Sequence, residues 1–153
     1  MGRLTEMPEF FLVPNMRVRT LNVRKNSIPS ISDKFCTMLY HLEECNLGHN
    51  LLSSLPPTLG NLRSLRTLLV NSNRLRGLPF SIGSLTRLEV LNIENNEITR
   101  LPSSMSTMTS LRNLAVRGNP SFVQPPQAII DGANGDSLDD VRSYLNAVYE
   151  AGI

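Results

Sequence analysis

Cys36, His41, Cys45 and His49 fall within fourteen residues, and all four are side-chain types that bind zinc. His49 with Ser72 supplies a second combination, a hydroxyl nucleophile and the base that would activate it. Either chemistry needs its groups on one face. Whether they meet depends on the elements that carry them, and those elements are read from the periodicity of the chain.

Segments 42–64, 65–87 and 88–110 align without a gap, so that Leu42, Leu65, Leu88 and Leu111 recur every 23 residues. The columns are Cys45, Leu68, Leu91, Leu114; Leu47, Val70, Ile93, Val116; and Asn50, Asn73, Asn96, Asn119. Further on, Leu55, Leu78 and Leu101 are each followed by Pro56, Pro79 or Pro102. An earlier copy at 18–39 joins after one extra residue, bringing Val18, Leu21, Val23 and Asn26 into register. Arg3-Leu4-x-x-Met7-Pro8-x-x-Phe11 matches Arg74-Leu75-x-x-Leu78-Pro79-x-x-Ile82, and so reads as the second half of a further repeat. The expected organisation is a partial N-terminal repeat at 1–17, five repeats over 18–120 and a C-terminal cap at 121–153.

Each column has a mechanical reason. Inward apolar residues two apart, such as Leu68 and Val70, mark a short parallel strand with alternating faces. The asparagine that follows each strand can satisfy backbone groups which a sharp turn would otherwise bury unpaired. The Leu-Pro pair opens a return segment, because proline presets φ and needs no N–H partner. Ile82, Leu85 and Leu88 then recur at a spacing that suits a short helical or 3-10 stretch. One such unit cannot bury its own apolar edge, and stacking makes the core continuous. At the partial repeat, Phe10, Phe11, Leu12 and Val13 are expected to cover the first strand, unless a partner or upstream sequence does so.

The L-x-x-L-x-L-x-x-N-x-L pattern resembles the leucine-rich-repeat family. The resemblance implies an α/β solenoid with a curved parallel sheet on the concave face and short helical or 3-10 segments on the convex face. Ser137 suits a helix N-cap, Asp139 and Asp140 suit a first turn, and Leu138, Val141, Leu145 and Val148 share one face. This predicts a C-terminal capping helix over about 138–150. The closing residues Asn119-Pro120, Pro125-Pro126, Ile129, Gly132 and Tyr144-Leu145, with the L-P-x-x-[IL] returns, resemble intracellular scaffolds of the Ras-group and Ras-suppressor type. The insertion Ala133-Asn134-Gly135-Asp136 departs from that pattern.

In this architecture a partner would sit on the outward strand positions. The candidates are Arg24, Lys25, Glu44, Asn46, His49, Thr67, Leu69, Asn71, Val90, Asn92, Glu94, Asn113 and Arg117. Leu69, between Asn46 and Asn92, is the expected anchor, with Val90 the other aliphatic centre. Asn26, Asn50, Asn73, Asn96 and Asn119 are assigned a structural ladder.

The same register dissolves the zinc reading. Cys45 takes an inward leucine column and becomes a core residue, whereas His49 projects from the concave face. Met38, Met105 and Met108 also fill apolar columns. His49 and Ser72 sit in one outward column, about 4.8 Å apart across neighbouring strands, but no acid in that column orients the imidazole. No glycine-rich phosphate loop occurs. The expectation is a non-catalytic protein-binding module without metal or cofactor.

Composition narrows partners and compartment. The chain of 153 residues carries a net charge of +2, and its apolar runs are far too short to span a bilayer. Two cysteines, no signal-peptide core and no Asn-X-Ser/Thr acceptor favour a cytoplasmic setting. Residues 61–117 hold eight arginines against three glutamates, but they are spread over several sides with no aromatic platform. Nucleic-acid contact is therefore expected only within a ribonucleoprotein. The family resemblance implies a scaffold or adaptor that touches a small-GTPase pathway. The rival expectation is a constitutive subunit of a large assembly, such as a ciliary motor or a ribonucleoprotein, with its N-terminal edge buried by neighbours.

Overall fold

The computed structural model describes residues 3–8, 17–125, 129 and 138–151. Five strands of three residues each, β1 (Thr20–Asn22), β2 (Glu44–Asn46), β3 (Thr67–Leu69), β4 (Val90–Asn92) and β5 (Asn113–Ala115), form one parallel sheet in chain order. The register is that of the 23-residue columns: Cys45 pairs with Leu68, Leu68 with Leu91 and Leu91 with Leu114. The central residues Leu21, Cys45, Leu68 and Leu91 are buried, while Leu114, on the last strand, is partly buried. Parallel pairing needs a crossover on one side of the sheet, and every repeat supplies it as a short return segment.

Three returns are 3-10 helices, Pro57–Asn61, Phe80–Ser84 and Ser103–Thr107. Pro56, Pro79 and Pro102 precede them with φ of −67°, −67° and −68°, the value that the ring imposes. The first return differs, being a true α-helix, α1 (Asp33–Met38). Ser32 stands in the proline column there, Asp33 occupies the first turn, and the one-residue-longer repeat accommodates the wider coil. Leu59, Ile82 and Met105 point inward from the three 3-10 turns and meet the strand residues in a single apolar core.

Between strand and return, the asparagine column stitches repeats together. Asn96 Nδ2 donates to the carbonyl of Ile93 in its own repeat at 3.0 Å and to that of Val70 in the preceding one at 3.1 Å. Its Oδ1 accepts the N–H of Leu75 at 3.0 Å. Asn50, Asn73 and Asn119 repeat the arrangement. Asn26 accepts the N–H of Leu4 at 2.8 Å, and Ser27 N–H donates to the Leu4 carbonyl at the same length. Leu4 thus occupies the column of Ile28, Leu52, Leu75 and Ile98.

Just before each ladder asparagine the backbone turns through the left-handed region. Lys25, His49, Ser72 and Asn95 have φ of 60°, 56°, 56° and 53°, and Gly118 completes the column at 75°. A Cβ on Gly118 would collide with Asn95 Oδ1 as well as taking up an unfavourable φ. Gly118→Ala is therefore expected to lower stability by about 2 kcal/mol, read from urea denaturation, whereas Ser72→Gly at the same column position should be neutral or stabilising.

The C-terminal helix α2 (Asp139–Ala151) lies against the last return segment, Ser103–Thr107, with Val141 and Leu145 buried. Leu138, just before it, is buried too, and Val148 is half-buried. Arg142 fixes the docking: its Nε donates to the Met108 carbonyl at 3.2 Å and its Nη2 to the Leu111 carbonyl at 2.7 Å. The expected N-cap Ser137, the covering residues Phe10 to Val13, Pro126, Gly132 and the insertion at 133–136 lie outside the described residues.

Candidate functional site

The outward strand positions form two rows set by the pairing. Thr20, Glu44, Thr67, Val90 and Asn113 make the first, and Asn22, Asn46, Leu69, Asn92 and Ala115 the second. Arg24, Lys25, Glu44, Asn113 and Arg117 are exposed. Asn46, His49, Thr67, Leu69, Asn71, Val90, Asn92 and Glu94 are half-buried by their neighbours.

Several of these polar side chains have structural work. The Oδ1 atoms of Asn22, Asn46 and Asn92 accept the N–H groups of Arg24, Gly48 and Glu94 at 3.1, 3.1 and 3.0 Å, closing the strand ends. Leu69 occupies the same position on β3 and cannot do this. Val90 lies on the neighbouring strand, diagonal to Leu69, because Leu69 pairs with Asn92 and Val90 with Thr67. Beside them the Asn71 amide leans over Gly48, where an added Cβ would stand 2.7 Å from Asn71 Oδ1. The centre of the concave sheet is thus an aliphatic spot ringed by amides.

At the β1 end, Arg24 Nη2 donates to His49 Nε2 at 3.1 Å. That contact makes Nε2 the acceptor and places the imidazole proton on Nδ1. His49 is engaged by a guanidinium rather than by Ser72, and an arginine on Nε2 blocks the atom that would accept a serine proton.

Among the described residues, no three side chains of metal-ligating type gather where they could hold one ion. Cys36 and Cys45 are buried free thiols, His41 is partly exposed and packs on the Tyr40 ring with centroids 4.2 Å apart, and His49 lies on the concave side. Burial pushes the Cys36 thiol from 9.0 up to about 11, with a Thr58 hydrogen bond opposing and the Asp33 charge adding. Burial, reinforced by Cys36, also pushes the Cys45 thiol up. In the unfolded chain the Cys36 thiol ionises near 9.0, before it does in the folded one. The stability that it contributes is therefore complete below pH 9 and lost as pH rises towards 11. Both thiols are expected to resist a thiol reagent at pH 8 until urea unfolds the chain; rapid labelling of the native protein would contradict their burial.

Two features of the surface escape a motif search. Arg19, Glu43, Arg66, Glu89 and Arg112 alternate in charge one position before the strands, and Arg19–Glu43 at 3.4 Å and Arg66–Glu89 form ion pairs across repeats. The alternation was visible in the aligned columns. These exposed pairs contribute little stability and serve better to disfavour a slipped register. The second feature, a groove on the convex side, has no column signal, because it joins the returns to α2.

Repeated strand-turn-return units, a parallel sheet, an asparagine ladder and an outward face of mixed polarity define a solenoid of the protein-interaction kind. The leucine-rich repeat region family model matches residues 3–125, and the chain belongs to the leucine-rich-repeat family. That family is generally a non-catalytic protein-interaction fold. No curated protein matches the chain. Among solved structures, it is similar to a leucine-rich-repeat protein of Leptospira interrogans, with TM-score 0.76 and 26% identity over 86% of this chain and 33% of that one. It is also similar to the plant peptide hormone receptor RGFR1 in complex with RGF2, with TM-score 0.59 and 30% identity over 64% of this chain and 16% of that one. The BIR3–SERK2 complex of Arabidopsis thaliana matches with TM-score 0.60 and 25% identity, over 76% of this chain and 65% of that one. The chain therefore spans less than two-thirds of each of these proteins. Among the described residues, no helix is long and apolar enough to cross a membrane.

Proposed function

We propose that the chain is a protein-binding module whose partner sits on the concave sheet over Leu69 and Val90. Leu69 carries this reading. Three of its four column-mates are asparagine and the fourth is alanine, and the strand-end bond that Asn22, Asn46 and Asn92 provide is given up on β3 for a half-buried aliphatic side chain. An aliphatic centre within an amide rim has the layout of an interface, an apolar core inside a polar border. One similar structure is a peptide hormone receptor in complex with RGF2 and another is the BIR3–SERK2 complex, which supports the same reading.

The finer version is an intracellular scaffold or adaptor in small-GTPase signalling. Its support is the resemblance of the L-P returns and the closing Asn119-Pro120 to Tyr144-Leu145 segment to Ras-suppressor-type proteins, together with two free thiols in the core. It is tested by titrating the chain with a Ras-type GTPase loaded with GDP or with a non-hydrolysable GTP analogue. Nucleotide-dependent binding that Leu69→Asp weakens by about thirtyfold or more is expected, with unchanged thermal stability. Binding indifferent to Leu69→Asp would remove the concave site, and no binding in either state would remove the GTPase.

A second reading, a constitutive subunit of a larger assembly, draws on the outer edge of β1, with which no described strand pairs. On that reading the chain would bind its neighbours without any nucleotide dependence.

A further inference from the structure

On the convex side, a groove of about 330 Å³ runs between the returns Phe80–Ser84 and Ser103–Thr107 and helix α2. Phe80 and Tyr149 both line it, and each is 63% exposed, so the core does not account for either ring. The repeat does not account for Phe80 either: Pro57 and Ser103 hold the same column. Two large aromatic side chains from distant parts of the chain thus share one open groove.

The remaining lining is uncharged. Ser104 Oγ donates to the Phe80 carbonyl at 2.6 Å, Thr107 Oγ1 to the Ser104 carbonyl at 2.9 Å, and Asn146 Nδ2 to Glu150 at 2.8 Å. Ser84, Ser103, Ser106 and the Tyr149 phenol make no side-chain hydrogen bond among the described residues and remain available as donors. The groove therefore presents apolar ring faces and spare O–H donors, with no charged group lining it.

We infer that this groove is a second binding site, for a proline-rich segment in the polyproline II conformation. Such a segment lacks proline N–H groups, keeps its carbonyls free of internal bonds, and docks its rings between aromatic side chains. Free hydroxyl donors and exposed rings are the complement of that chemistry. An acidic or basic peptide would find no counter-charge in the lining. A sugar would find no carboxylate there to accept its hydroxyl protons. The site is separate from the concave sheet and stands or falls independently of the reading given to Leu69.

The test is a titration of the 15N-labelled chain with a decaproline peptide, with a glycine-serine decapeptide and maltohexaose as comparisons. Decaproline is expected to shift the amides of Gly83, Ser84, Ser104 and Tyr149 saturably. Phe80→Ala and Tyr149→Ala should each weaken this by about tenfold or more, and Leu69→Asp should leave it unchanged. Tyr149→Phe, which removes only the hydroxyl, should weaken it less than Tyr149→Ala. No saturable shift at millimolar peptide, shifts confined to the concave strands, an equal response to the glycine-serine peptide, or a response to maltohexaose alone would overturn the assignment.

Discussion

Asn96→Ala is expected to cost about 2–4 kcal/mol, because it strands one buried main-chain N–H and removes one of two donors from each of two carbonyls. The Leu75 N–H loses its acceptor, while the Val70 and Ile93 carbonyls lose one donor each and keep Asn73 Nδ2 at 2.9 Å and Asn119 Nδ2 at 3.1 Å. Asn96 is only 4% exposed, so water cannot replace the amide unless the core opens. Asn96→Asp should be as damaging: a carboxylate can accept from Leu75 but offers nothing to the two carbonyls, and its charge would be buried. Urea denaturation checks both, with Arg87→Ala as an exposed control expected within about 0.5 kcal/mol of the parent. A loss below about 1 kcal/mol for Asn96→Ala would mean that the ladder merely accompanies the stacking. Because Asn96 joins two repeats, its loss should also broaden the transition as the stack uncouples.

The second large effect falls where the C-terminal helix docks on the last repeat. Arg142 carries the docking of α2, reaching the carbonyls of Met108 and Leu111 while its Nη1 pairs with Asp139 at 2.7 Å. The Asp139 side of that pair is 78% exposed and contributes little. The two carbonyl bonds, with a charged donor, are the substantial part. Arg142→Ala is expected to lower stability by about 2–4 kcal/mol and to do so locally. Hydrogen exchange should speed up in α2 and in Ser103–Thr107, which it covers, and change little in β1 and β2. Arg142→Lys should recover only part, since one ammonium cannot span both carbonyls. Uniformly faster exchange across all five strands would show that the helix is not a separable cap.

Much of this architecture could be read before any coordinates, for a physical reason. A repeat forces each column to solve the same packing problem several times, so Leu68, Leu91 and Cys45 reveal their common inward position by recurrence. The asparagine ladder is legible for the same reason. What recurrence does not encode was missed. The first return is α-helical in the one repeat that is a residue longer and has Ser32 in the proline column, a local exception. The left-handed column is hidden by Lys25, His49 and Ser72, whose side chains do not advertise a positive φ. Arg142 meets carbonyls more than thirty residues away, and the convex groove needs Phe80 and Tyr149 together, so neither leaves a periodic trace. On the concave face the sequence named the outward residues but could not separate structural amides from available ones. Only the bonds of Asn22, Asn46 and Asn92 to the strand ends make Leu69 stand out.

The most direct measurement is site-specific photocrosslinking, with the reactive side chain placed at position 69 on β3 in one variant and at position 87 on the outside of the stack in another. A concave binding site predicts one dominant protein adduct from position 69, competed by unmodified chain, lost when Val90→Asp is added and absent from position 87. An adduct equally strong from position 87, or one from position 69 that survives Val90→Asp, would contradict it.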